Sequence, residues 1–249
     1  MATGEVVPGL FYKLSLGNNI SQLGLTAFQL SRDLAYGGSI WWMPTTKEFG
    51  LRGGAGDWED HRKVALRFGA STVRARESHY TPLDQPPGST QIRLADGLPL
   101  FSTGALAPGV TLANATYWIL SIDAGLKYRG LYLQTEFHLR WLYDFAGNGP
   151  VPVNQILDWS FFVQAACFPI PKWWELYGAT SFVFGDRAAG FGTSWEVIAG
   201  TNVYPANTRN FRLNAHFIYV DRSPAGSEFG YYTAGQKGPT ISLAATIFF

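Results

Sequence analysis

Residues 238–249 read Gly-Pro-Thr-Ile-Ser-Leu-Ala-Ala-Thr-Ile-Phe-Phe. Two turn residues, Gly238 and Pro239, open the stretch, and a strict alternation follows. Ile241, Leu243, Ala245, Ile247 and Phe249 fall on one side. Thr240, Ser242, Ala244 and Thr246 fall on the other, with Phe248 the one bulky exception. A period of two makes this a strand with one apolar face and one small, polar face. A strand in water gains nothing by finishing on Phe-Phe. A membrane-spanning strand does, because aromatic rings settle where hydrocarbon meets headgroups.

The same pattern recurs upstream. From Leu131 to Tyr143, residues Leu131, Leu133, Thr135, Phe137, Leu139, Trp141 and Tyr143 share one face, opposite Gln134, Glu136, His138 and Arg140. From Tyr117 to Tyr128, Trp118, Leu120, Ile122, Ala124 and Leu126 oppose Ser121, Asp123 and Lys127. From Arg209 to Val220, the apolar set Phe211, Leu213, Ala215, Phe217 and Tyr219 opposes Asn210, Arg212, Asn214 and His216. Lys63 to Val73 puts Val64, Leu66, Phe68 and Ala70 opposite Lys63, Arg67 and Ser71. Further strands are predicted at Phe11–Leu16, Leu34–Met43, Ile156–Phe168, Trp173–Phe184 and Ser194–Tyr204, which makes about ten in all. A short helical or irregular excursion is expected around residues 21–30. Residues 44–62 read as a turn region rich in Gly and charge, and 75–114 as the longest irregular segment.

Composition fits this reading. The 249 residues suffice for one β domain spanning 1–249. Aromatic residues reach 16%, while charged residues are only 15%, well below the usual quarter or so. That mixture suits strands with one face in lipid. The net charge of +1 speaks against a nucleic-acid partner. Cys167 is the single cysteine, too few for a disulfide framework or a zinc site, so no cofactor or metal is expected. No run approaches the roughly 18 apolar residues of a transmembrane helix. The opening Met1-Ala-Thr-Gly-Glu-Val lacks the features of a secretory signal, so the chain is expected to be the C-terminal part of a longer protein.

The connections alternate in length. The turns at 129–130, 169–172 and 205–208 are short; the loops at 75–114, 145–155, 185–192 and 221–237 are long. Short turns at one end and long loops at the other are the signature of outer-membrane barrels. The expected fold is all-β, an antiparallel up-and-down transmembrane β-barrel in a bacterial outer membrane, with aromatic girdles at Trp41-Trp42, Trp173-Trp174, Tyr204, Tyr219 and Phe248-Phe249. Segment 44–62 breaks the alternation, since its place calls for a short turn. A soluble β sandwich is the competing fold, opposed by the single apolar face of each strand and the lack of a covering helix.

Several stretches resemble the phosphate-selective porin O/P family, in particular its aromatic-rich, planctomycete-like members. They are the paired strands from Tyr117 to Leu142 with their Lys127-Tyr128-Arg129-Gly130 turn, Phe168-Pro169-Ile170-Pro171-Lys172-Trp173-Trp174-Glu175-Leu176-Tyr177, Ala199-Gly200-Thr201-Asn202-Val203-Tyr204-Pro205, and Arg209-Asn210-Phe211-Arg212-Leu213-Asn214. The likeness is clearest from about residue 116 to 249 and rests on strand–turn–strand patterns. It implies a homotrimeric diffusion channel of roughly 16 strands, of which this chain would supply the C-terminal portion. Its partners would be outer-membrane lipid and small hydrophilic solutes or anions.

Porin selectivity is set by charges facing the lumen. Alternation places Lys13, Lys63, Arg67, Lys127, Arg140 and Arg212 there as cations, and Asp123, Glu136, Asp158, Glu175 and Glu196 as anions, with His138 and His216. The two signs are nearly balanced, so a strong anion filter does not follow. No spacing brings the histidines together as metal ligands. Two other functions compete with a channel. One is a ten-stranded outer-membrane enzyme, an omptin-like protease or a lipase, using Ser78-His79 or Asp60-His61. The other is a structural barrel with a filled lumen.

Overall fold

The computed structural model describes residues 1–17, 33–50, 56–78, 92–224 and 235–247. Eleven strands run in order: β1 (Ala2–Val7), β2 (Leu10–Gly17), β3 (Ala35–Trp42), β4 (Ala65–Ser78), β5 (Leu112–Tyr128), β6 (Leu131–Gly147), β7 (Gln155–Ile170), β8 (Trp174–Phe184), β9 (Thr193–Val203), β10 (Phe211–Asp221) and β11 (Gly238–Ile247). They form one sheet in sequence order, each strand antiparallel to the next. The fold is therefore all-β and up-and-down, as the alternation predicts. One strand more is present than expected: β1 precedes the first predicted strand, and the Pro8-Gly9 turn, with Gly9 at φ 88°, folds it back on β2. The expected excursion at 21–30 lies outside the described residues. Among those described, the only helical element is a three-residue 3₁₀ turn, Arg187–Ala189.

Register fixes the two faces. Trp118 lies opposite Trp141, Leu120 opposite Leu139 and Ile122 opposite Phe137. The row continues with Phe137 against Phe161 and Phe161 against Phe182. At the chain's end Phe217 pairs with Ile241 and Ala215 with Leu243. Among the described residues no other layer covers these side chains. Leu243 is 78% exposed and Ile241 76%, while Trp42, Phe68, Ile122, Leu133 and Phe217 are each about half exposed. A water-soluble sandwich would bury this face against a second sheet. Here the large buried side chains gather instead at the two ends of the strands.

The opposite, inner face carries the polar set, and glycines there make room for packed rings. A Cβ at Gly125 would strike Phe49, and one at Gly200 would overlap the Tyr177 ring and lie 2.7 Å from His216 Cβ. The Tyr177 hydroxyl in turn meets His216 Nδ1 at 3.0 Å and accepts from Asn214 at 2.8 Å. Gly200→Ala is expected to displace this ring and cost about 1–3 kcal/mol, the usual range for overpacking. Urea unfolding of lipid-refolded protein checks it, and wild-type stability would contradict the packing described.

Candidate functional site

Two segments between strands turn inward, one from each end of the sheet. The first, 43–64, occupies the place where a short turn was expected. Its described residues, 43–50 and 56–64, do not stay outside the strands but fold over the inner face. The reason is visible in its side chains. Phe49 packs on Gly125 and tilts against Tyr132, and Trp58 sets its edge against Tyr204 at 4.6 Å and Phe168 at 5.8 Å. Asp57, fully buried, accepts from the backbone N–H of His61 at 3.0 Å and of Gly130 at 2.9 Å. Glu175 of β8 accepts from Gly56 N at 2.5 Å, and also from Asn202 and from the Tyr204 hydroxyl, both at 2.9 Å. Backbone bonds Met43 N to Gly9 O, Arg129 N to His61 O, Phe168 N to Gly130 O and Tyr204 N to Trp173 O tie the short-turn end together.

Charge locks the segment. The His61 ring meets Asp57 through Nδ1 and Glu48 through Nε2 at 2.7 Å. Burial works against the imidazolium, but the hydrogen bond and charge of Asp57, then those of Glu48, outweigh it and hold the His61 pKa above its ordinary value. Glu59 pairs with Lys127 at 3.3 Å and with Arg209. Asp57, Glu59 and His61 hold ligand-type atoms within 4.8 Å of one another, the set that could hold a metal. Each is already engaged, and the two cations beside Glu59 oppose a further positive charge. The arrangement reads as an ion-pair latch.

The second segment, 92–111, enters from the long-loop end. Residues 92–100 form a small hairpin: Leu100 N donates to Ile92 O, Leu94 N to Leu98 O, and Gly97 takes φ 89° at its tip. Leu94, Leu100 and Phe101 bury themselves against Leu112, Leu142, Ile156 and Phe191. Arg140 of β6 fixes the hairpin, donating to Arg93 O at 2.6 Å while pairing with Asp158 of β7.

Between the segments the inner face is open and polar. A cavity of about 630 Å³ is lined by Ser39, Trp41, Phe49, Arg67, Ser71 and Asp123. A second, about 340 Å³, lies between Arg93, Tyr117, His138, Arg140 and Ser160. A third, about 300 Å³, is bounded by Gln164, Glu175, Tyr177, Asn202, Arg212 and His216.

By register, Lys13, Arg67, Asp123, Lys127, Glu136, His138, Arg140, Asp158, Glu175, Glu196, Arg212 and His216 all fall on the inner face. Lys63 has no register partner: it precedes β4 and is exposed. Lys127 and Glu175 are inward but sealed beneath segment 43–64. Many of the lumen charges are paired, as Arg67 is with Asp123 at 3.3 Å and His138 with Glu136 at 3.5 Å. Asp60 is not the partner of His61; Asp57 is. Ser78 ends β4, and His79 lies outside the described residues. Sequence reading missed Glu48, Phe49, Asp57, Glu59 and Arg93. The Asp57-x-Glu59-x-His61 spacing beside Trp58 was the available signal.

The latch makes a pH prediction. A raised histidine pKa contributes stability that is complete below the ordinary imidazole value and is lost as pH rises through the raised one. Amide exchange in the described part of 43–64 is therefore expected to speed up as pH rises above the ordinary imidazole value of about 6.5, relative to β5 and β6 and after correction for intrinsic rates. In His61→Gln that step should vanish. Unchanged relative protection would contradict the latch.

No family model matches the chain, so the resemblance to phosphate-selective porins is without that support, and no curated protein matches it. Among solved structures it is similar to the outer-membrane expressed OmpT of Vibrio cholerae, with a TM-score of 0.47 and 12% identity over 96% of this chain and 59% of that one. It is also similar to OprB of Pseudomonas putida, with a TM-score of 0.46 and 10% identity over 98% of this chain and 56% of that one. The chain spans little more than half the length of either.

Proposed function

We propose that this sheet is barrel wall of a passive channel in a bacterial outer membrane, passing small hydrophilic solutes along its inner face and catalysing nothing. The observation that carries the reading is the division of the sheet: an uncovered apolar face outside, and inside a polar face with open cavities between two inward segments.

The outer face is finished as lipid requires, where an unsatisfied polar atom is costly. Its hydroxyls donate inward to the sheet: Thr72 to Ile119 O at 2.9 Å, Thr180 to Glu196 O at 2.8 Å and Thr201 to Glu175 O at 2.9 Å. The Trp118 and Trp174 indoles donate to Thr72 and Thr201, both at 2.8 Å. The outward cation Arg74 sits toward the long-loop end between Tyr36 and Tyr143, whose hydroxyls accept from it, as a girdle would hold it. Strands β5 and β6 have 17 residues each, more than the roughly 9–11 needed to cross a bilayer, so they extend past it.

Lipid tolerates no open strand edge. Among the described residues β1 and β11 do not pair with each other, so in the membrane each edge finds a strand partner. Of the enzyme alternative's two candidate pairs, Asp60-His61 is engaged otherwise: both His61 ring nitrogens face carboxylates, of Asp57 and Glu48.

Protein refolded into planar lipid bilayers is expected to give stepwise ohmic conductance. A folded, membrane-inserted sheet that conducts no ions would overturn the channel reading and favour a filled structural barrel.

A further inference from the structure

We infer that the outward face of β4 holds a phosphate-bearing lipid headgroup, with Arg74, Tyr36 and Tyr143 as its donors; the inference rests on the lipid-facing half of the reading above and not on conductance. One cation stands within reach of lipid and meets no acidic side chain there.

Charge is scarce on the outward face. Among the described residues, the outward register positions of the strands carry only Arg74 and Arg76 of β4 and Asp221 at the end of β10, with Asp144 beside them in the bulge between β5 and β6. Asp221 is answered by Lys237 at 3.0 Å and Arg222 at 3.2 Å. Arg76 is answered by Asp33 at 3.6 Å and Asp144 at 4.0 Å, and donates to Asn114 Oδ1 at 2.6 Å. Arg74 differs. Its Nε donates to the Tyr143 hydroxyl at 2.9 Å and its Nη1 to the Tyr36 hydroxyl at 3.1 Å, and the guanidinium lies over the Tyr36 and Tyr143 rings at 5.9 and 6.0 Å. Among the described residues no carboxylate pairs with it.

Rings and hydroxyls hold the guanidinium but do not cancel its charge. A cation among acyl chains is costly, and the cost fades toward the headgroups. Arg74 stands at that boundary. It lies toward the long-loop end of β4, and its cross-strand row reads Tyr36, Arg74, Trp118, Trp141. Tyr and Trp collect where hydrocarbon ends. In barrels of this kind the long loops lie outside, so the headgroup belongs to the outer leaflet.

The donors converge. A tyrosine hydroxyl both accepts and donates. Tyr36 and Tyr143 each accept from Arg74, and the described residues offer no acceptor for their own hydrogens. With the remaining guanidinium N–H groups they form a set of donors around one positive charge, which suits the several oxygens of a phosphate. Beside them Trp118 is stacked on Trp141 at 4.7 Å, its indole turned to Thr72, which leaves a flat apolar surface for the lipid chains.

The test is native mass spectrometry of the protein in detergent micelles doped with phosphatidic acid, whose phosphomonoester is the chemistry inferred. Wild-type protein is expected to retain one molecule about tenfold more tightly than it retains phosphatidylcholine. Arg74→Gln should abolish that difference. Tyr36→Phe with Tyr143→Phe should weaken it severalfold while keeping the rings. Arg187→Gln, which removes an exposed cation from the long-loop end, should leave it unchanged. Circular dichroism shows that each variant keeps its β-sheet. Excess inorganic phosphate should not displace the lipid; displacement would mean a site for free anions and overturn the inference. So would a wild type without preference, a folded Arg74→Gln protein that binds as before, or an equal loss in Arg187→Gln. A changed oligomeric state in Arg74→Gln, with lipid retention intact, would assign the arginine to a contact between copies and overturn it too. Conducting protein that lacks the preference leaves the channel reading standing. Protein that keeps the preference but conducts nothing overturns the channel and not this inference.

Discussion

Everything in this molecule depends on the pleat of a β-strand, which sends successive side chains to opposite faces. A slip of one residue would exchange the two faces of any strand. The register avoids this across the whole sheet: outward Trp, Phe and Leu meet outward Trp, Phe and Leu from β2 to β11, and Asp123, Glu136, His138 and Arg140 stay inside. Because no second layer covers the outward face among the described residues, its stability does not come from a second sheet. It comes from stacked cross-strand rings, such as Trp118 on Trp141 at 4.7 Å and Trp159 on Phe184 at 3.8 Å, and from a surrounding apolar solvent.

The inward segments supply what the strands lack. A wide sheet with polar residues inside has no core of its own. The hairpin at 92–100 buries Leu94, Leu100 and Phe101 at one end, and segment 43–64 buries Phe49 and Asp57 at the other. Each is held by charge as well as by packing. Ion pairs largely withdrawn from water seldom add much net stability, but removing one partner from them is expensive. Lys127 with Glu59, and Arg140 with Asp158, therefore serve better as devices that fix where the segments lie than as sources of stability. The segments narrow the space over the inner face and decide which charges border it.

Much of this was legible in the sequence. The alternation at Leu131–Tyr143 and Ile241–Ile247 gave the faces correctly, since a two-residue period reports directly on the pleat. Ala2–Val7 escaped notice because Glu5-Val6-Val7 breaks its alternation, and the pairing with β2 shifts register between Glu5 and Val7. The role of 43–64 was not legible. Its partners lie far along the chain, Gly130 and Glu175 for Asp57 and Gly56, and no local pattern encodes contacts at such separation. Lys63 falls outside the register for a different reason: extending the alternation past the strand's start assumed that β4 began earlier than Ala65.

The claim on which all else rests is that odd-numbered residues of β6 face lipid and even-numbered ones a watery interior. Single cysteines placed along Leu133–Arg140, in a Cys167→Ser background, test it directly when spin-labelled in lipid vesicles. The account predicts a period of two: labels at Leu133, Phe137 and Leu139 relaxed by oxygen dissolved in the bilayer, and labels at Glu136 and His138 by a water-soluble paramagnet. Odd positions shielded from both reagents would mean a covering protein layer and contradict the membrane reading.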